Sequence, residues 1–431
     1  MALDRSKVEE RFEVLALEVP ARRTGEFLKR LAPNLLNVAR RKNVESLPDT
    51  ASKLILLSRT VTDIESLPSD AAWVEELVSS GAVKVTKFEV TLGYEHFTAE
   101  EVLRKLLPAG MEIPSSFEQA GHVAHLNLRD SQLPYKHLIG QVILEKNKSV
   151  KTVVNKTGKI ETEFRTFPME HLAGEPSTVV CLKEHQCFFE FEYRDVYWNS
   201  RLQEEHGRLI ETLFMRSSPA RRVLADCTCG VGPFSIPTTK LTNGVVSHAN
   251  DLNPASIHWL RRSVELNKLP HVLELEELPF HSERFDPEGS LLVIHPPGDA
   301  RQFIPNLFEK RHPVTHAVFN LPAAGVELLD CFRGLDYDKQ GLPRPLVCCY
   351  TFSDGLASLL REWTGPAAPA LAGGAKDGGR RPGRHWRHSS GGAPGAQCGT
   401  HTAYVLRLLP GAPTHRGAYA NRSATGEETE A

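Results

Sequence analysis

The run Val223-Leu-Ala-Asp-Cys-Thr-Cys-Gly-Val-Gly-Pro-Phe234, followed by Val245-Val-Ser-His-Ala-Asn-Asp-Leu-Asn-Pro254, constrains the fold of this chain more than any other feature. Val223 to Ala225 predict a strand that ends at Asp226. Gly230 and Gly232 then permit a tight turn and a close approach of backbone to ligand, and the chain from Pro233 leads into a helix. The second apolar run closes on Asp251, about 20 residues past the glycines, where a strand-end carboxylate accepts hydrogen bonds from two ribose hydroxyls. Both halves of an adenosine site are therefore present, although by residue type alone the glycines also read as plain turn glycines. The third glycine of a dinucleotide fingerprint is missing near Ser235, and the loop is not G-x-x-x-x-G-K-[ST]. Pyrophosphate and triphosphate are thus disfavoured, and S-adenosyl-L-methionine, which has adenosine without phosphate, fits better.

From about residue 196 onward, helices alternate with apolar runs at 223, 245, 291 and 314–319, which predicts a mostly parallel, doubly wound sheet with ligand groups at the carboxyl ends of its strands. Ahead of it, residues 1–97 read as a small α/β module, with strands near 12–19 and 54–57 and helices over 24–41 and 71–78. Residues 98–195 read as a mixed α+β domain with its own sheet and a helix near 138–146. Arg22, Arg23, Lys29, Arg30, Arg40, Arg41 and Lys42 in the first, and Lys146, Lys148, Lys151, Lys156 and Lys159 in the second, are candidate phosphate contacts or simply solvated faces. The Gly/Arg-rich segment 364–400 is too poor in apolar residues to order itself, and 411–431 reads as a polar tail.

The net charge of −2 leaves nucleic-acid binding to local patches. No apolar run approaches the roughly 18 residues of a membrane span, so no membrane partner is expected. The acidic start Met1-Ala-Leu-Asp-Arg-Ser-Lys-Val-Glu-Glu does not read as a transit peptide. The eight cysteines include no C-x-x-C pair, which suits buried reduced thiols better than a metal site, and a monomer is the default.

Several further runs carry a family resemblance: Gly121-His-Val-Ala-His-Leu-Asn-Leu128, Ile139-Gly-Gln-Val-Ile143, Thr152-Val-Val-Asn-Lys-Thr-Gly158, Val196-Tyr-Trp-Asn-Ser-Arg-Leu202, Gly230-Val-Gly-Pro-Phe234, Ala249-Asn-Asp-Leu-Asn-Pro254 and Asn320-Leu-Pro-Ala323. Over residues 8–352 the chain resembles the eukaryotic and archaeal tRNA (guanine-37-N1)-methyltransferases. The resemblance implies a class I (Rossmann-like) methyltransferase domain over 196–410, preceded by two small tRNA-binding domains, with tRNA as partner and S-adenosyl-L-methionine as methyl donor. It implies Glu205 as general base and Arg165 as the contact to guanine O6. It carries cofactor binding over to His206, Asp251, Leu252, Asp299, Ala300 and Asn320, beside Gly230 and Gly232, with Asn320 also near the target base. It further implies work in the cytoplasm, nucleus and mitochondrial matrix.

Guanine N1 bears a proton at neutral pH, so its methylation needs a base for that proton and a donor for charge developing on O6. By residue type alone Glu205 and His206 also read as solvent-facing helix residues, Arg165 as a surface ion pair and Asn320 as a turn former before Pro322. Glu204 and Glu205, one residue apart, point to different helix faces and do not share a role. The chain departs from the family at Thr228-Cys229 and after Phe352, where Tyr404 to Leu409 is the candidate closing strand. Two other readings follow: a wybutosine-pathway aminocarboxypropyl transferase, and a tRNA-binding protein that has lost catalysis.

Overall fold

The structure, a computed structural model, describes residues 3–48, 51–114, 116–158, 164–212, 222–275, 289–322, 324–352 and 401–407. The segment 364–400 and the tail 411–431, both expected to lack order, lie outside the described residues, as do Lys159 and Ala323. The described residues divide into two compact units, one running to 158 and including 168–177, the other combining 164–167 with the residues from 178 onward.

In the first unit β1 (Glu10–Pro20) lies between β3 (Ser52–Leu56) and β4 (Lys84–Leu92), with β2 (Val44–Ser46) on the outer side of β3, all antiparallel. Side chains alternate along β1, so Val14 and Ala16 join one core while Leu17 and Val19 join another with Phe27, Ile55 and Val74. Helices α1 (Thr24–Arg30) and α2 (Trp73–Ser79) cover the second face. The helix expected over 24–41 stops at Arg30, because Pro33 cannot continue it and Asn37 and Arg40 take positive φ. The second sheet has the order β5 (Glu118–Ala120), β6 (Val123–Leu126), β7 (Thr152–Lys156), β8 (Met169–Gly174). Helix α3 (Ala99–Leu106) precedes it, and α4 (Lys136–Lys146) makes the crossover between the parallel pair β6 and β7. One core runs across the expected boundary near 97: Ala16, Leu56 and Val90 cluster with Leu126, Ile139 and Val153.

Much of the basic surface read from the sequence is internally occupied. Arg23 and Arg30 pair with Glu26, Arg41 with Glu45, and Arg30 stacks 3.7 Å over Trp73. Lys146 donates to the Tyr94 carbonyl and lies over the Tyr94 ring, so it is a packing residue, whereas Lys148 and Lys151 are exposed.

The second unit opens with the hairpin β9 (Val179–Glu184) and β10 (Cys187–Glu192). It continues into a seven-stranded sheet of order β13 (Val272–Glu274), β14 (Leu291–Ile294), β12 (Val245–Ala249), β11 (Arg222–Asp226), β15 (His316–Phe319), β16 (Leu346–Phe352), β17 (His401–Arg407). All neighbours pair in parallel except β16 and β17, which are antiparallel. The doubly wound architecture expected from residue 196 onward is therefore present, and β17 begins ahead of the expected Tyr404. Every residue of β12 and β14 is buried, as a parallel sheet covered on both faces requires. Helices α5 (Gln203–Ile210), α6 (Ser235–Leu241), α7 (Pro254–Asn267) and α8 (Ala300–Glu309) belong to this unit.

The hairpin, expected with the middle domain, instead belongs to α7. The Asn267 side chain accepts from Phe188 N–H (3.0 Å) and donates to Phe188 C=O (2.6 Å), while Ser263 Oγ accepts from Glu190 N–H (3.2 Å). These polar side chains satisfy the open edge of β10.

Candidate active site

The strand order reverses on either side of β11: β12 lies to one side and β15 to the other, so the carboxyl ends of these strands bound a crevice at a topological switch point. Asp226 ends β11 fully buried. Its Oδ2 accepts from Ser235 Oγ at 2.6 Å, and its Oδ1 has no partner. Burial raises its carboxyl to about 7, opposed by the Ser235 hydrogen bond and reinforced by Asp251.

The glycine turn follows with left-handed φ at Gly230 (+53°) and Gly232 (+93°). The two glycines act differently. Space beside Gly230 is open, whereas a Cβ on Gly232 would lie 2.6 Å from Leu260 Cδ1 of α7. Gly230 N–H donates to Asp251 Oδ2 at 2.8 Å, and Asn253 N–H donates to Oδ1 at 2.9 Å, which ties the turn to the end of β12. Burial raises the Asp251 carboxyl despite these hydrogen bonds. Beside it Leu252 is 42% exposed, an apolar surface left uncovered at the strand ends.

After β14, Asp299 caps α8 by accepting from Arg301 N–H at 2.8 Å, and Ala300 is buried at the first helical position. Asp299 also stands at the rim of a cavity of about 180 Å³ lined by Asn250, His295, Gly298, Gln302 and Phe303 among others. Asn250, a residue the sequence reading passed over, holds this loop by donating to Gly298 C=O (2.9 Å) and Cys227 C=O (3.2 Å).

At the end of β15, Asn320 N–H donates to Thr228 Oγ1 at 2.9 Å, and the side-chain Nδ2 faces His206 Nε2 at 3.4 Å. Asn320 Oδ1 is buried without a partner. His206 is not solvent-facing: only 3% exposed, it sits edge-on to Phe234 and lies 2.7 Å from the buried carboxylate of Glu184. Glu184 was not among the expected site residues, since nothing in its neighbourhood marks a β9 carboxylate as buried.

Helix α5 carries both Glu205 and His206, and its Leu209 and Ile210 pack with Leu224, Val318 and Tyr350 of the sheet. Glu204 is exposed, while Glu205 is half-buried and bound bidentately by Arg208 at 2.6 and 2.5 Å. Each oxygen of Glu205 thus accepts one Arg208 N–H. Arg165 lies in the second unit with Glu205, not in a separate domain, at a positive φ of 61°. Among the described residues no hydrogen bond joins the two, so the structure brings Asp251, Asp299, Asn320 and His206 to the strand ends but does not pair Arg165 with Glu205.

Residues 99–178 match the TYW2 N-terminal domain and residues 180–317 the TRM5/TYW2 methyltransferase domain, so the two matches meet where the compact units divide. Sheet, strand-end residues and domain match define a class I, Rossmann-like methyltransferase. The chain is 40% identical over 359 residues to a tRNA (guanine(37)-N(1))-methyltransferase of Phytophthora infestans, covering 82% of this chain and 80% of that one. It is 37% identical over 355 residues to the enzyme of that name from Dictyostelium discoideum, covering 81% and 71%. The chain belongs to the tRNA (guanine(37)-N(1))-methyltransferase family. The solved complex of aTrm5 and tRNALeu shares its fold, with a TM-score of 0.53 at 19% identity over 81% of this chain and 92% of that one.

Proposed function

We infer that this protein transfers a methyl group from S-adenosyl-L-methionine to N1 of the guanosine directly 3′ of the anticodon in tRNA. The observation that carries the reading is the set of strand-end groups, Asp251, Asp299 and Asn320 with Glu205 nearby on α5, in a chain that aligns with four fifths of a relative of that name. The methyl donor fits the groups present. Asp226 Oδ1 and Asn320 Oδ1 are buried acceptors in want of donors, Asp251 offers a carboxylate for ribose hydroxyls, and Leu252 offers an apolar surface to an adenine. When bound, the donor supplies an electrophilic methyl on a sulfonium, whose displacement needs alignment more than Lewis-acid help.

The remaining work falls to side chains. Glu205 releases Arg208 and takes the N1 proton, and Arg165 donates to O6 as charge gathers there. Lys148 and Lys151 are exposed members of the cationic strip and meet a phosphate backbone. Glu205→Gln is expected to lower kcat by about 10²- to 10⁴-fold with donor affinity unchanged, and Arg165→Ala to lower kcat in the same way. Full turnover by Glu205→Gln in a single-turnover assay would exclude Glu205 as the base.

A further inference from the structure

The tip of the β9–β10 hairpin is built from residues its backbone disfavours. Cys187 pairs with Glu184, so His185 and Gln186 form a two-residue turn, and both have positive φ, 45° and 63°. Such a turn ordinarily takes Asn, Asp or Gly. Here it is held by tertiary contacts: the His185 ring lies against Gly207 of α5 and bonds Gln203 C=O at 2.5 Å, and Gln186 C=O accepts from Lys240 Nζ at 3.0 Å. Backbone held in a disfavoured region by its surroundings invites a functional explanation. What the tip delivers is Glu184, 2% exposed, with Oε1 2.7 Å from Nδ1 of His206.

We propose that Glu184 is a positioning residue that sets, through His206, which polar atom Asn320 turns toward the donor site. A carboxylate only accepts, so His206 Nδ1 carries the proton and donates to Glu184. As oriented, His206 Nε2 then accepts from Asn320 Nδ2, and Asn320 Oδ1 is left as a buried acceptor without a partner. An acceptor there suits the N–H donors of an ammonium or an amino group. Without Glu184 the proton is free to move to Nε2. That nitrogen would then donate to Asn320 Oδ1, the amide would turn over, and a donor would replace the acceptor in the site.

This inference rests on the reading of His206 and Asn320 as cofactor-site residues, and the test separates the two. Binding of labelled S-adenosyl-L-methionine to the full chain without tRNA is measured by equilibrium dialysis for wild type, Glu184→Gln, Glu184→Met, His206→Ala and the Glu184→Met/His206→Ala double variant. Thermal unfolding serves as the folding control. Gln keeps volume and an acceptor for Nδ1–H, whereas Met keeps only volume. The expected result is a Kd within about threefold of wild type for Gln, raised about tenfold or more for Met, with the double variant no weaker than His206→Ala alone. Glu184→Met binding like wild type, or losses that add in the double variant, would overturn the proposal while leaving the site reading in place. Unchanged affinity in His206→Ala would overturn the site reading itself, and the proposal with it. If Glu184→Met does not fold, Glu184→Gln decides: an affinity loss as large as that of His206→Ala overturns the proposal, and near-wild-type affinity supports it.

Discussion

The two glycines of the strand-end turn are alike in sequence and different in physical demand. Both need a left-handed backbone, which an alanine adopts at a cost of about 1 kcal/mol or more. Gly232 has a second reason, since a Cβ there would meet Leu260 Cδ1 at 2.6 Å and Ile236 at 3.0 Å. Overpacking of that kind costs about 1–3 kcal/mol more. Gly232→Ala is therefore expected to lower the urea midpoint more than Gly230→Ala, and equal shifts would contradict the packing role given to α7. The Gly-x-Gly pattern was legible in the sequence because turn chemistry is local. The Leu260 contact was not, because it comes from a helix whose placement the sequence does not state. Asn250, Glu184 and Arg208 were missed for the same reason: each acts on a group distant in sequence or through an ion pair that residue type alone does not mark as special.

Helix α5 and the hairpin tip form one device, and Gly207 is where they meet. Replacing glycine by alanine inside a helix ordinarily stabilises by about 1 kcal/mol. Here the new methyl would stand 2.2 Å from His185 Cε1, so the ring would have to move and give up its hydrogen bond to Gln203, worth about 1 kcal/mol. The two effects nearly cancel in the wild-type background. In a His185→Ala background the helix gain stands alone, so Gly207→Ala should stabilise by about 1 kcal/mol more there than in wild type. Equal effects in the two backgrounds, read as unfolding midpoints, would break the link between tip and helix.

The alternation of helices and apolar runs from residue 196 onward was legible, and α7 (Pro254–Asn267) is one such helix, with Pro254 at its first position and Asn253 as its cap. Strand β4 was not, because most of its side chains at the edge of the sheet are exposed and its charged residues blur the apolar alternation. The hairpin residues were read with the middle domain and instead bond to α7, because Asn267 and Ser263 look like ordinary helix residues until their backbone partners are seen.

At the scale of the whole molecule, buried histidines set the response to acid. His248 and His295 share a hydrogen bond of 3.0 Å, and the His312 ring stands 4.9 Å from that of His248. Burial lowers all three, with the neighbouring imidazoles adding at His248 and His295 and Lys310 adding at His295 and His312, and His295 is brought to about 3. The unfolded chain takes up protons on these groups as pH falls below about 6.5, while the folded state stays neutral. Stability is thus lost as pH falls from about 6.5 toward 3. Asp226 acts in the opposite sense, since a carboxyl raised to about 7 favours the folded state less as pH rises from about 3.9 to that value, and Asp251 has the same sign. Three histidines outweigh two carboxyls, so the urea midpoint should be lower at pH 5 than at pH 7. A midpoint that holds or rises at pH 5 would contradict the burial of neutral imidazoles.

The decisive measurement is methyl transfer from labelled S-adenosyl-L-methionine to an unmodified tRNA transcript with guanosine directly 3′ of its anticodon, run beside the same transcript with adenosine there. The expected result is label in the guanosine transcript alone, recovered on digestion as N1-methylguanosine. Label in both transcripts, or none in either while tRNA still binds, would contradict it.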